Sequence, residues 1–221
     1  MSTPKGGTST VQTGQVDAPQ ASIGPRGELL TAALIPDMAY AAGMGIVYSF
    51  SQVIAGVAPG TSGTTTTPNL TIYNGAAATL KQVLLVDLYM AYVSGTIGAG
   101  HIGGGLIASA AAPSGGTAIV TYPMGTAATG ASATTSVGTG HTVTALSATS
   151  DREVLFDLQA NLATAAAAGV GSSSSVIQRT IMRWIPSGFA YAVAGVTAAG
   201  SSPLLRISGR FIEYPSTFAP A

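Results

Sequence analysis

The run Gly98-Ala99-Gly100-His101-Ile102-Gly103 matches G-x-G-x-x-G, the spacing that brings a phosphate against backbone amides at a helix start. That chemistry needs a strand before the glycines, a helix opening on them, and an acid about 20 residues later to hold a ribose. No Asp or Glu stands between Asp87 and Asp151, and the flanking chain does not alternate strand and helix. We read the run as a glycine-rich strand connection. His101 and His141 are the only histidines. A shared metal, or a Ser-His-Asp set with Asp87, would need partners converging from scattered positions, and no H-x-x-x-H spacing is present. Both histidines are read as turn or interface residues. Asp151-Arg152-Glu153 with Asp157 forms the densest charge cluster. Two nearby carboxylates suit acid–base work or calcium binding, but the glycine and distal glutamate of a calcium loop are missing. A solvated loop, or an ion pair with Arg179 or Arg183, is the expectation. No catalytic residue, metal ligand or cofactor is assigned, and the chain is expected not to be an enzyme.

Arg179, Arg183, Arg206 and Arg210 are four of the eight basic residues. A spacing of four stacks side chains on one face of a helix. These segments read as strands, where an even spacing also puts each pair on one face. The planar guanidinium pairs with carboxylates through two parallel bonds and is favoured at protein interfaces. The preferred role is interface contact or cross-strand pairing with Asp151, Glu153 or Glu213, with a phosphate or sugar site as runner-up. Trp184, the single tryptophan, stands between Arg183 and Ile185 and is read as a core anchor or an interface anchor. The five residues Arg179, Arg183, Trp184, Arg206 and Arg210 are thus the candidate interface set.

The elements that position them read as strands between Gly/Pro turns. Residues 1–25 are rich in Gly, Ser, Thr, Pro and Gln and poor in bulky apolar groups. Such a segment buries too little surface to offset its ordering entropy and is expected to be a flexible or extended arm. Over 26–221 the pattern predicts strands at Gly45–Ile54, Asn69–Tyr73, Lys81–Ser94, Ile102–Ser109, Thr117–Tyr122, Val176–Ile185, Phe189–Thr197 and Leu204–Tyr214, from β-branched and aromatic enrichment. His141–Ala145 and Val154–Leu158 are weaker strand candidates. Asn74-Gly75 suits a turn with positive φ, and Pro186-Ser187-Gly188 suits another. Met124–Gly140 is expected to be a long loop, and Leu158–Ala168 a short Ala-rich helix. Many short strands and little helix predict an all-β, jelly-roll-type β-sandwich with an extended N-terminal arm.

Three stretches together resemble a family. They are Leu70-Thr71-Ile72-Tyr73-Asn74-Gly75 followed by Lys81–Val86 and Tyr92–Thr96; Gly98-Ala99-Gly100-His101-Ile102; and Ile185-Pro186-Ser187-Gly188-Phe189-Ala190 with the later Phe211-Ile212-Glu213-Tyr214-Pro215. This pattern, over roughly Leu70 to Pro215, resembles small jelly-roll virion proteins of tailed bacteriophages. The resemblance lies in structural turns, with no active-site motif. The Ala/Thr-rich middle and the apolar segment before Leu70 depart from it. It implies a structural role in the virion, as a capsid decoration or cement protein.

Composition sets the remaining bounds. Charged residues are 7% of the 221, hydrophobic ones 47%, and the formal net charge is zero, where soluble domains carry roughly 25% charge. A chain with little self-repulsion tends to associate. A homo-oligomer is therefore expected, a trimer first, with other virion proteins and above all the major capsid protein as partners. With pI near 6.7 and no basic patch, nucleic acid is not an expected partner. No run of 18 apolar residues is present, so no membrane span is expected, and the start lacks the apolar stretch of a secretory leader. The absence of cysteine excludes disulfides and thiolate metal sites. A second function of a different class, a receptor-binding or fibre head domain gripping a host glycan or protein, would need an exposed groove of aromatic and carboxylate side chains. Tyr89, Tyr92, Tyr122 and Tyr191 are its candidates.

Overall fold

The structure, a computed structural model, describes residues 22–23, 29–30, 38–60, 62, 65–76, 81–109, 112–125, 131–143, 153–158 and 176–215. The chain divides into two compact units, 1–41 and 42–221. In the first, β1 (Ser22–Ile23) pairs antiparallel with β2 (Leu29–Leu30). The remainder of the expected arm, 1–21 and 24–25, lies outside the described residues. A short helix, α1 (Met38–Gly43), precedes the strands of the second unit.

Those strands are β3 (Val47–Ser51), β4 (Leu70–Asn74), β5 (Lys81–Ser94), β6 (Gly100–Ala108), β7 (Thr117–Ile119), β8 (Thr121–Pro123), β9 (Thr135–Thr139), β10 (Glu153–Asp157), β11 (Val176–Ile185), β12 (Phe189–Thr197) and β13 (Leu204–Pro215). Eight of them pair in nested order: β3 with β13, β4 with β12, β5 with β11, and β6 with β10. A long antiparallel hairpin rolled over on itself gives this pairing of first with last and second with next-to-last, which is the jelly roll. Two antiparallel sheets result. One runs β10-β6-β12-β4-β9-β7, here the first sheet, and the other runs β11-β5-β13-β3-β8, here the second sheet. The three short strands between β6 and β10 widen them, β8 beside β3, β9 beside β4, and β7 beside β9.

The sheets pack over one apolar core. Leu70 and Ile72 from β4, Ile102 from β6 and Tyr191 and Val193 from β12 meet Val83, Leu85, Leu88 and Met90 from β5 and Ile207 and Phe211 from β13. The inward positions of β5 change parity between Leu85 and Leu88. Register explains it: Arg210 faces Asp87 while Phe211 faces Leu85, so Val86 is an extra residue in a β-bulge. On the other side of β5, Thr180 faces Asp87 and Arg183 faces Leu85. Met182 lies in that irregularity with φ 48°, the only non-glycine residue at positive φ among the described residues. The bulge lets the continuous run LLVDLYM supply core residues from both ends and still turn Asp87 outward.

Several expectations are corrected. The expected strand 117–122 breaks at Val120, because β7 and β8 belong to different sheets. Met124–Gly140 is not all loop: Thr135, Val137 and Thr139 alternate β-branched residues, and Val137 sits in the core opposite Ile72. Of the expected strand His141–Ala145, His141–Val143 makes only one bridge, Thr142 to Ser114, and 144–145 lie outside the described residues. Asn74 and Gly75 do not take positive φ. Asn74 ends β4 fully buried, and its amide Nδ2 donates to Ile185 O at 2.9 Å, so it ties the two sheets together rather than bending a hairpin. The turn at Pro186–Gly188 does form, with Gly188 at φ 75° and Phe189 N donating to Pro186 O. It carries the chain from one sheet to the other. Residues 159–168 of the expected helix lie outside the described residues.

Candidate functional site

The glycine motif is divided between a loop and a strand. Gly98 and Ala99 precede β6, and Gly100 through Gly103 lie within it, so no helix N-terminus opens on the glycines and the phosphate cradle is not built. His101 faces Asp157 on β10 and Val196 on β12. His141 follows β9, and β12 and β4 intervene between β6 and β9, about 14 Å of sheet at ordinary strand spacing. Asp87 belongs to the second sheet. The three residues therefore share no site, and no group of three metal-ligating side chains occurs among the described residues. Asp151 and Arg152 lie outside the described residues.

The charged residues instead build three local constellations. On the outer face of the second sheet, Asp87 is 2% exposed although its strand neighbours on that face meet solvent. Donors cover it. Arg210 Nε donates to both carboxylate oxygens at 3.1 Å and its Nη2 pairs with Oδ2. Tyr89 Oη donates at 3.2 Å and Gln178 Nε2 at 3.4 Å. Arg210 also lies over the Tyr89 ring, 5.6 Å from its centroid. The hydrogen bond to Asp87 raises the Arg210 pKa, and burial followed by the Asp87 charge raises that of Tyr89. A carboxylate paired with a guanidinium and crowded with donors at Oδ2 is a poor general base.

The second constellation centres on Glu213, also 2% exposed. Lys81 Nζ donates to Oε2 at 2.7 Å, and Ser132, Thr134 and Thr135 donate to Oε1, the last at 2.7 Å. Burial pushes the Glu213 pKa up, but the bonds from Lys81, Ser132 and Thr135 outweigh it and hold the carboxyl below its ordinary range. The hydroxyls come from the start of β9 and the acid from β13, so this group ties one sheet to the other.

The third constellation closes the open side of the sandwich, where edge strands β10 and β11 lie in facing sheets. Arg179 Nε donates to Leu155 O at 2.8 Å, and Arg183 pairs with Glu153. Leu155 sits where the β10 register slips against β6, so the guanidinium satisfies a carbonyl at the irregularity. Charged side chains and a bulge at an exposed edge oppose pairing with another chain. Arg206 on β13 donates from Nε to Ser51 Oγ at 2.8 Å and Gln52 O at 3.1 Å. Trp184 is half-buried against Tyr214, ring centroids 5.5 Å apart.

The candidate set thus divides. Arg179 and Arg183 both reach β10, and Arg206 and Arg210 both stand on the outer face, so each pair does share a face. The carboxylates they meet are Glu153 and Asp87, whereas Glu213 goes to Lys81. The sequence reading missed Gln52, 2% exposed. Its Oε1 accepts from Ile207 N at 2.9 Å, and its Nε2 donates to Asn69 O at 2.7 Å and Thr139 Oγ1 at 3.2 Å. Its placement beside apolar strand residues was the one available signal. The tyrosines do not converge: Tyr191 is fully buried with its pKa pushed up to about 12 by burial, against the lowering effect of Arg183. Tyr92 Oη donates to Gly95 O, and Tyr122 stands 59% exposed on β8, at the far edge from β11.

No protein-family model matches the chain. No curated protein is significantly similar to it in sequence.

Proposed function

We propose that this chain is a structural protein of a bacteriophage particle, a capsid decoration protein that works as a homo-oligomer and stabilises the shell through weakly charged contacts with the major capsid protein. One observation carries this reading: the charge is spent inside the fold while large apolar side chains stand outside. Of the nine charged side chains among the described residues, six form three ion pairs with each other. Meanwhile Ile54 is 79% exposed, Val154 69%, and Val53, Val120 and Val176 between 56% and 60%. Such surface lowers its free energy when covered, at roughly 25 cal/mol per Å² before the costs of association. The jelly-roll topology and the resemblance over Leu70–Pro215 support the same reading, and the arm at 1–25 would serve as a tether to a neighbour. The glycan-binding alternative gains no observation, because its four tyrosines form no common groove.

The test is to locate the protein in purified particles and to measure its mass in dilute solution. Capsid-shell localisation, with a stable trimer by light scattering that persists from low to high salt, is the expected result. Tail localisation, or a monodisperse monomer at micromolar concentration, overturns the proposal.

A further inference from the structure

The outer face of the first sheet carries a group that the proposed function does not use. Its outward positions are small: Gly103 and Gly105 on β6 face Ala194 and Ala192 on β12, and Gly138 on β9 faces Thr71 on β4. The segment after β9 folds back across this face. Gly140 N donates to Pro68 O at 3.1 Å, Thr142 N to Ser114 O at 2.7 Å and Val143 N to Thr66 O at 2.8 Å. Val143 joins Ile107, Ala192 and Ala194 in a small apolar cluster. The His141 ring lies directly on Gly138, where a Cβ would meet ring atom Cδ2 at 2.6 Å. His141 is 6% exposed, and its Nδ1 has no hydrogen-bond partner. Neither has the Oγ1 of fully buried Thr71, the strand partner of Gly138.

A buried imidazole with an unanswered ring nitrogen is tolerable while neutral and costly once charged. The outward side chains of the elements packed around it are Thr71 and Tyr73 on β4, Ser136 on β9, Thr66 before β4, and Ser114 beside Thr142. They include no carboxylate and no cation. Apart from the Tyr73 hydroxyl, the next titratable groups on this outer face among the described residues are His101 and Asp157, beyond β4 and β12. Burial alone lowers the His141 pKa.

We propose that His141 is an acid-released latch: protonation of its imidazole drives residues 140–143 off the outer face of the first sheet and uncovers the cluster of Ile107, Ala192 and Ala194. The sign follows from linkage. The open segment holds a histidine of ordinary affinity and binds more protons than the closed one, so closure is complete above about pH 6.5 and weakens below it. If the closed form takes no proton, the open population rises about 30-fold at pH 5 relative to pH 7.5, since (1 + 10^(6.5 − 5))/(1 + 10^(6.5 − 7.5)) is about 30.

The test is amide hydrogen exchange on the full chain, corrected for intrinsic rates, at pH 7.5 and pH 5, with an NMR titration of the imidazoles. H101Q leaves His141 as the sole histidine and assigns the signal. Protection at Gly140, Thr142 and Val143 is expected to fall, by at most about 30-fold, with Phe189 in the Pro186 turn unchanged, and H141Q is expected to abolish the difference. Unchanged protection at pH 5 overturns the latch, whether His141 titrates as a free histidine or stays neutral. So does an equal loss of protection in H141Q. Should H141Q fail to fold, the H101Q titration and its exchange profile decide alone.

Discussion

Replacing Gln52 by alanine tests whether one side-chain amide holds the two sheets in register. Gln52 sits just past β3, beside β13, where its backbone N also donates to Ile207 O at 3.0 Å. The substitution removes three side-chain hydrogen bonds and leaves the Ile207 N–H buried without its acceptor. The two bonds from Nε2 are worth about 1 kcal/mol each, and the orphaned Ile207 N–H costs about 1–3 kcal/mol, so the expected loss is about 3–5 kcal/mol. With a urea slope of about 2 kcal/mol per M, the midpoint falls by about 1.5–2.5 M. Gln52→Glu sharpens the test. Its carboxylate keeps an acceptor for Ile207 N but sets oxygen against Asn69 O, so this variant is expected to be less stable at pH 7 than at pH 4, where the protonated acid regains a donor. Equilibrium urea unfolding followed by Trp184 fluorescence measures both. A loss below 1 kcal/mol for Q52A, or no pH dependence for Q52E, refutes the assignment of Gln52 as the bridge.

Other consequences follow from single contacts. The Glu213 pKa is held low in the fold, so its contribution is complete above the unfolded value of about 4.3 and is lost as pH falls below it; Glu213→Gln is expected to flatten the decline of thermal midpoint between pH 5 and pH 3. Gly104 lies under the Tyr191 ring, where a Cβ would come within 2.7 Å of Cζ; Gly104→Ala is expected to cost about 1–3 kcal/mol in urea unfolding. Tyr191→Phe removes a buried hydroxyl that has no partner and is expected to stabilise by about 1 kcal/mol. Met182→Val, which puts a β-branched residue at φ 48°, is expected to lower stability by about 1–2 kcal/mol, with M182G causing no loss by the same measurement.

Local pattern determined a great deal here. Lys81–Ser94, Val176–Ile185 and Phe189–Thr197 have the strand bounds expected of them, because long β-branched runs between Gly and Pro leave few alternatives. Charge scarcity and the nested sandwich class were likewise legible. Short segments were not. β9 is five residues of Thr, Ser, Val and Gly and becomes a strand only because β4 and β7 pair with it, an interaction between residues far apart in sequence. The split of 117–122 between two sheets has the same cause. Which carboxylate each arginine meets was equally a matter of tertiary structure. Side-chain parity told that Arg206 and Arg210 share a face, but the bulge at Val86 chose Asp87 as the partner of Arg210, and the approach of two sheet edges chose Glu153 for Arg183. Asn74 shows the difference at one residue: its sequence neighbourhood suggests a tight turn, while its buried position between the sheets turns the same amide into a cross-sheet donor. A sequence states what a residue can do over its own few neighbours; which distant backbone it answers is settled only when burial leaves each polar group no water to bind.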